Sequence, residues 1–259
     1  MTHKPLILAV ETSGRIGSVA IALGRQLLAE STFTTPMRHS AELFGAIYSL
    51  LGRFARKPRE IAQIHISIGP GSFTGLRIAV TLAKIMHLAT AAKIVAVDTL
   101  DVIAANAANY VGQTTADLRN IATILDAKRG QFYVAAYQRS RHRRGANKTE
   151  HPLSTIENQV RGAAIWTKIF PDSVMSADQF SDCFAGTAEP IWLLGEGLVY
   201  HQDRFRAEGI RFFDEHYWYP KASNVHLLGY DMSLKGQFAD PLTLTPKYLL
   251  RPDIKIKRR

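Results

Sequence analysis

The segment Gly69-Pro70-Gly71-Ser72-Phe73-Thr74-Gly75 packs three glycines and two hydroxyl side chains ahead of a long apolar run. A glycine loop that opens a helix can cradle phosphate, because its backbone N–H groups converge at the positive end of the helix dipole. The details here miss each known pattern. A P-loop follows its second glycine with Lys and then Ser or Thr, whereas Gly75 is followed by Leu76-Arg77. The dinucleotide fingerprint would need a small residue where Thr74 stands, and Gly75 comes one residue late. Asp98 lies where a ribose carboxylate would fall, by coincidence of spacing. A nucleophile elbow separates its serine from the preceding glycine by one residue, but Ser72 directly follows Gly71. What remains is a stiff turn at Pro70, a helix cap from Ser72 or Thr74, and N–H groups that could hold an anion weakly.

A second turn, Glu11-Thr12-Ser13-Gly14-Arg15-Ile16-Gly17, offers a carboxylate and two hydroxyls beside glycines. The candidate anion or nucleotide contacts are therefore Glu11, Thr12, Ser13, Gly71, Ser72 and Thr74. Metal chemistry finds less support. No two of the nine histidines lie three to five residues apart, so no helix presents an adjacent pair of ligands. His39 and Glu42 share a helical face, but two groups do not close a site. No metal ligand, catalytic residue or resident cofactor is assigned. His65, in an apolar strand, reads as structural. The lone Cys183 excludes an internal disulfide and suits a reducing compartment.

These turns need elements to hold them. Residues 6–12, 18–23 and 27–33 read as three consecutive antiparallel strands parted by glycine turns. Residues 39–54 read as a helix, with Leu43, Ile47, Leu50, Leu51 and Phe54 at three- and four-residue spacing. A second stripe on it, Ala41, Gly45, Tyr48 and Gly52, is mostly small and would let another helix approach closely. A strand at 64–68 leads into the glycine loop, and a helix from 74 to 91 follows. Its apolar arc is wider than one sheet face needs, which makes Ile78, Leu82, Ile85 and Met86 candidates for a partner surface. A strand at 94–97 and a helix at 99–108 complete a β-β-β-α-β-α-β-α unit. Such a unit builds a mixed sheet flanked by helices.

The second unit starts with a hairpin, 121–126 and 131–137, turning at Gly130. Beyond it the pattern predicts a helix at 156–170, a strand at 191–194, a turn at Gly195-Glu196-Gly197, a helix near 200–208 and a closing helix at 224–238. The expected organisation is a lobe over 1–110, a second lobe over 111–222, and a closing helix and tail over 223–259.

The formal net charge of +10 is concentrated. Arg139, Arg141, Arg143, Arg144 and Lys148 sit in one stretch, and Lys255, Lys257, Arg258 and Arg259 in another. Without those two stretches the body is nearly neutral. Both are candidate nucleic-acid contacts, set against solvated loops as the plain alternative. The first apolar run, residues 6–10, is too short for a signal-peptide core or a bilayer span, so a soluble cytoplasmic protein without a membrane partner is expected.

Several ordered segments resemble the TsaB (YeaZ) family of tRNA threonylcarbamoyladenosine synthesis. They are ILAVETS from Ile7, MRHSAELF from Met37, GPGSFTGLRI from Gly69, VAVDTLDVIA from Val95, ILDAKRGQFYVAAY from Ile124 and PKYLL from Pro246. The resemblance implies a two-lobed, actin-like (ASKHA) fold. It also implies a non-catalytic scaffold that docks on a TsaD-like transferase through the two helices of the first lobe. A TsaE-like ATPase would join, tRNA would be met through the complex, and ATP and metal would sit in the partner subunit. The absence of a His-x-x-x-His pair counts against the transferase itself. A homodimer through the same helices stays open. In actin-like kinases an aspartate stands near the place of Glu11, so this turn departs from a working nucleotide site. The region 173–190 carries no family motif. The competing readings are an independent nucleotide-dependent enzyme or M22-like peptidase of the same superfamily, and a tRNA-binding module working through the basic stretches.

Overall fold

The computed structural model describes residues 4–33, 39–111, 118–139 and 166–250. The first sheet is built from β1 (Leu6–Glu11), β2 (Gly17–Leu23), β3 (Gln26–Phe33), β4 (Ile61–Gly69) and β5 (Lys93–Asp98), in the order β3-β2-β1-β4-β5. The first three strands form an antiparallel meander, while β4 and β5 run parallel to β1. Parallel strands need crossovers, and helices supply them. α1 (His39–Arg53) leads from β3 to β4, and α2 (Phe73–Thr90) leads from β4 to β5.

Both helices pack on one face of this sheet. Leu43, Ile47, Leu50 and Leu51 of α1 and Ala79, Val80, Leu82 and Ala83 of α2 join Leu8, Val10, Ile21 and Ile64 in one core. The opposite face is small-sided, with Ala9, Ala20, Val95 and Val97. It is covered by Val102 of α3 (Thr99–Ala104) and by Ala222, Val225 and Leu228 of α6 (Ala222–Leu234). The predicted helix at 99–108 is two short ones, α3 and α4 (Asn106–Val111). Asn106 at the junction is buried and donates to the carbonyls of Tyr217 and Tyr219 at 2.8 and 2.9 Å.

The second sheet contains β6 (Asn120–Lys128), β7 (Gln131–Arg139), β8 (Trp166–Ser176), β9 (Ile191–Leu194) and β10 (Ile210–Phe212), ordered β10-β9-β6-β7-β8. It repeats the plan of the first: β6, β7 and β8 form the meander, and β9 and β10 run parallel to β6. α5 (Ala177–Phe184) is its one regular crossover helix among the described residues. Its core is aromatic, with Phe132, Tyr137, Trp166, Phe180, Phe205, Phe213 and Trp218 buried together.

Three sequence expectations are corrected here. Residues 166–170, expected to end a helix, are strand; the rest of that expectation lies outside the described residues. β8 sits at the sheet edge, where Pro171 is tolerated although it would break a helix. The helix expected near 200–208 is only a 3-10 turn, Gln202–Phe205, drawn inward by buried Phe205. α6 ends at Leu234 rather than 238, because Gly236 takes a left-handed φ of 72°.

The lobes are fastened by an ion network. Lys247 donates to Asp98 of the first lobe at 2.8 Å and to Asp172 of the second at 2.6 Å. Lys168 meets Asp101 and Asp172, each at 2.7 Å. Tyr137 donates its hydroxyl to Asp101 at 2.7 Å. No helix among the described residues is long and apolar enough to cross a membrane.

Candidate functional site

Two places gather the candidate residues: a cleft between the lobes and an exposed face of α1 and α2. The cleft, about 430 Å³, is walled by Ser13, Arg15, Ser72 and Phe73 from the first lobe and by Asp126, Lys128, Tyr133 and Glu196 from the second. Its first-lobe wall is welded shut beneath. A Cβ at Gly75 would fall 1.8 Å from the Thr12 carbonyl oxygen, so only glycine lets α2 start against this turn. Thr12 gives its hydroxyl to the Gly75 carbonyl at 2.8 Å. Ser72 caps α2 by accepting from the Gly75 N–H.

Glu11 lies under this wall and is fully buried. It accepts from the Ser13 N–H at 2.6 Å and from the hydroxyls of Ser13 and Ser67. Burial pushes its carboxyl up to about 7, against the pull of those donors, and nearby Glu196 adds to the rise. Glu196 accepts from the Arg15 N–H at 2.9 Å, and its own burial raises it above the usual carboxylate range. Of the six anion candidates, Ser13, Gly71 and Ser72 line the cleft. Glu11 and Thr12 lie beneath it, and Thr74 lies in the other groove.

This donor set does not fit a nucleotide's phosphates. Asp126 and Glu196 face the same space, and Lys128 is bound to Asp126 at 2.6 Å. The Arg15 guanidinium is stacked 4.2 Å over the ring of Tyr200. Sequence reasoning missed Asp126 and Glu196 as cleft residues. The signal for Glu196 was its two flanking glycines: a Cβ at Gly195 would lie 2.2 Å from the Ile124 carbonyl oxygen, and one at Gly197 2.9 Å from the Asp126 nitrogen.

The second place is apolar. Phe44, Tyr48, Phe73, Ile85 and Leu88 are exposed on α1 and α2, Tyr48 at 66% and Leu88 at 84%. Between the helices runs a groove of about 440 Å³ lined by Phe44, Phe73, Ile78, Leu82, Ile85 and Arg77. Gly45 and Gly52 stand open beside it; a Cβ on either would meet nothing within 4 Å. The side chain of Ala41 lies outside the described residues. Leu82 belongs to the lobe core and shows the groove only its edge, a correction to its reading as surface, because its turn of α2 faces β4. Ile78 and Met86 are half-buried against the same core. Phe44, Phe73 and Leu88 were missed, because only the small stripe and the breadth of the arc were weighed.

Arg139 ends β7, where its N–H donates to the Arg119 carbonyl at 2.8 Å. This is the opposite end of the strand from the cleft hairpin. Arg141, Arg143, Arg144, Lys148, Lys255, Lys257, Arg258 and Arg259 lie outside the described residues. Among the described residues no group of three or more His, Cys, Asp or Glu could hold a metal ion.

A family model described as TsaD, tRNA N6-adenosine threonylcarbamoyltransferase, matches residues 28–154. The tRNA threonylcarbamoyladenosine biosynthesis protein TsaB of Bacillus subtilis is 36% identical over 132 residues, which is 51% of this chain and 55% of the relative. TsaB of Escherichia coli is 29% identical over 133 residues, 51% of this chain and 55% of the relative. The chain thus spans little more than half the length of these two relatives. A crystal structure titled as similar to peptidase YEAZ, from Pseudomonas aeruginosa, superposes with a TM-score of 0.74 at 20% identity, covering 95% of this chain and all of that one. At that identity the likeness is one of fold, and it is the two-lobed, actin-like arrangement of mixed sheets.

Proposed function

We propose, for a chain that is a relative of the TsaB (YeaZ) proteins, that it serves threonylcarbamoyladenosine formation in tRNA as a non-catalytic subunit. It binds a TsaD-type transferase through α1 and α2 and thereby activates it. One observation carries this reading. The first lobe has a complete core, yet five large apolar side chains remain outside it on adjacent helices. An exposed patch of that kind marks a protein partner. In this reading ATP and metal belong to the transferase, a TsaE-type ATPase joins the pair, tRNA is met through the complex, and the site of action is the cytoplasm. Self-association would use the same face.

The independent-enzyme reading has one attraction: a carboxyl at about 7 is poised for proton transfer. Glu11, however, is sealed under the turn, with two serine hydroxyls and an N–H on its oxygens. A substrate atom has no route to it.

The test is gel filtration of the purified chain with its cognate TsaD-type protein at micromolar concentration. A stable heterocomplex is expected for the wild type. Gly45→Leu should fold as the wild type does, because its new side chain enters open space, and should fail to form the complex. No wild-type complex would sink the proposal.

A further inference from the structure

We infer that the α1/α2 groove selects an acidic partner: its occupant is an amphipathic helix of the TsaD-type protein whose apolar ridge is flanked by carboxylates that meet Arg77 and Lys84. The inference rests on the scaffold reading above and adds the charge chemistry of the contact.

The groove's walls are apolar, but its rim is cationic. α2 carries Arg77 and Lys84 and has no Asp or Glu in its 18 residues. Arg77, Thr81, Lys84 and Leu88 recur at helical spacing, so both cations flank the exposed apolar side chains on one face. On α1 the acidic residue is Glu42, half-buried, and Arg53 adds a further cation at the last turn.

Arg77 is also held in place. Its guanidinium lies 4.8 Å over the ring of Phe73, and that ring stands 5.3 Å from Tyr248 of the C-terminal segment. Tyr248 is fixed in turn by its neighbour Lys247, whose N–H donates to the Ile68 carbonyl at 2.7 Å and whose ammonium joins the interlobe ion network. A guanidinium stacked on an aromatic ring keeps its hydrogen-bonding fork directed outward at little further entropy loss.

A second copy of this chain is a poorer occupant. A two-fold contact would set the same cationic face against itself, and like charges in an interface are repulsive. Nucleic acid is also disfavoured. Ile85, Leu88 and Phe44 would be covered by phosphates rather than by apolar groups.

The test titrates the wild type, Arg77→Glu, Lys84→Glu and Arg77→Lys with the cognate TsaD-type protein at low and high salt. Each charge reversal should weaken binding about tenfold, chiefly through the on-rate, and salt should weaken the wild type more than the variants. Arg77→Lys, which keeps the charge but loses the stacked fork, should fall between the wild type and Arg77→Glu. Arg77 is exposed and Lys84 half-buried, so circular dichroism of each variant is recorded beside the wild type, and a match is expected. A wild-type complex that both reversals leave unchanged overturns the acidic-partner inference alone. The inference is equally overturned if the reversals spare that complex but weaken binding of tRNA. Failure of the wild type to form any complex overturns the scaffold reading and this inference together.

Discussion

The two lobes share one strand plan and use it differently. Each sets an antiparallel meander beside two parallel strands. In the first lobe the crossovers are long helices of 15 and 18 residues, and the core they cover is almost wholly aliphatic, with Phe33 its one buried aromatic among the described residues. Its aromatic side chains Phe44, Tyr48 and Phe73 are turned outward. In the second lobe the described crossovers are an eight-residue helix and short 3-10 turns. Its aromatics point inward, where Phe205 packs 4.8 Å from Phe132 and 5.5 Å from Phe180. The same residue type thus holds one lobe together and gives the other a surface to offer.

Two phenylalanines put that contrast to the test. Phe205→Ala should cost about 3–5 kcal/mol of stability in urea denaturation, because it empties a fully buried site. Phe44→Ala should cost about 0.5 kcal/mol or less in the same assay, since the side chain is already half in water, and yet should abolish docking. Equal destabilisation by the two would erase the distinction.

A third experiment addresses the turn between the lobes. Glu11 titrates near 7 in the folded protein and near 4.5 in the unfolded chain. The folded state therefore binds the proton more tightly, and stability falls as pH rises from about 4.5 to about 7, by about 3 kcal/mol. Glu11→Gln should remove that fall. His65 pulls the other way: burial drops its ring to about 3, so its contribution is lost as pH falls below about 6.5. The difference between wild type and Glu11→Gln across pH isolates the carboxyl; a flat difference would contradict its buried placement. A small effect is also expected at the surface of the second lobe. Arg119 pairs with Glu189 with both side chains about two-fifths exposed, and Glu189→Ala should shift stability by less than about 1 kcal/mol.

Much of this was legible in the residues. Alternation and glycine turns marked the first three strands, and three- and four-residue spacing marked α1. Of the glycine loop's expected roles, the helix cap is seen: Ser72 does cap α2. β8 was misread because apolar spacing in a short segment fits helix or strand, and the decisive fact, its antiparallel pairing with β7, is non-local. The acidic wall of the cleft was not assembled for the same reason: the flanking glycines marked a tight turn at Glu196, but Glu196 meets Arg15 across 181 residues of chain. The breadth of α2's apolar arc did signal a second surface. Its phase did not separate Leu82, which faces the sheet, from Ile85, which faces out, because the two sit within one turn.

The central claim is that binding belongs to the outward face of the first lobe. Hydrogen–deuterium exchange, with and without the cognate TsaD-type protein, tests it most directly. Protection gained in α1, α2 and around Tyr248, with the second sheet unchanged, is the predicted result. Protection centred on the second lobe, or on no segment of the chain, would contradict it.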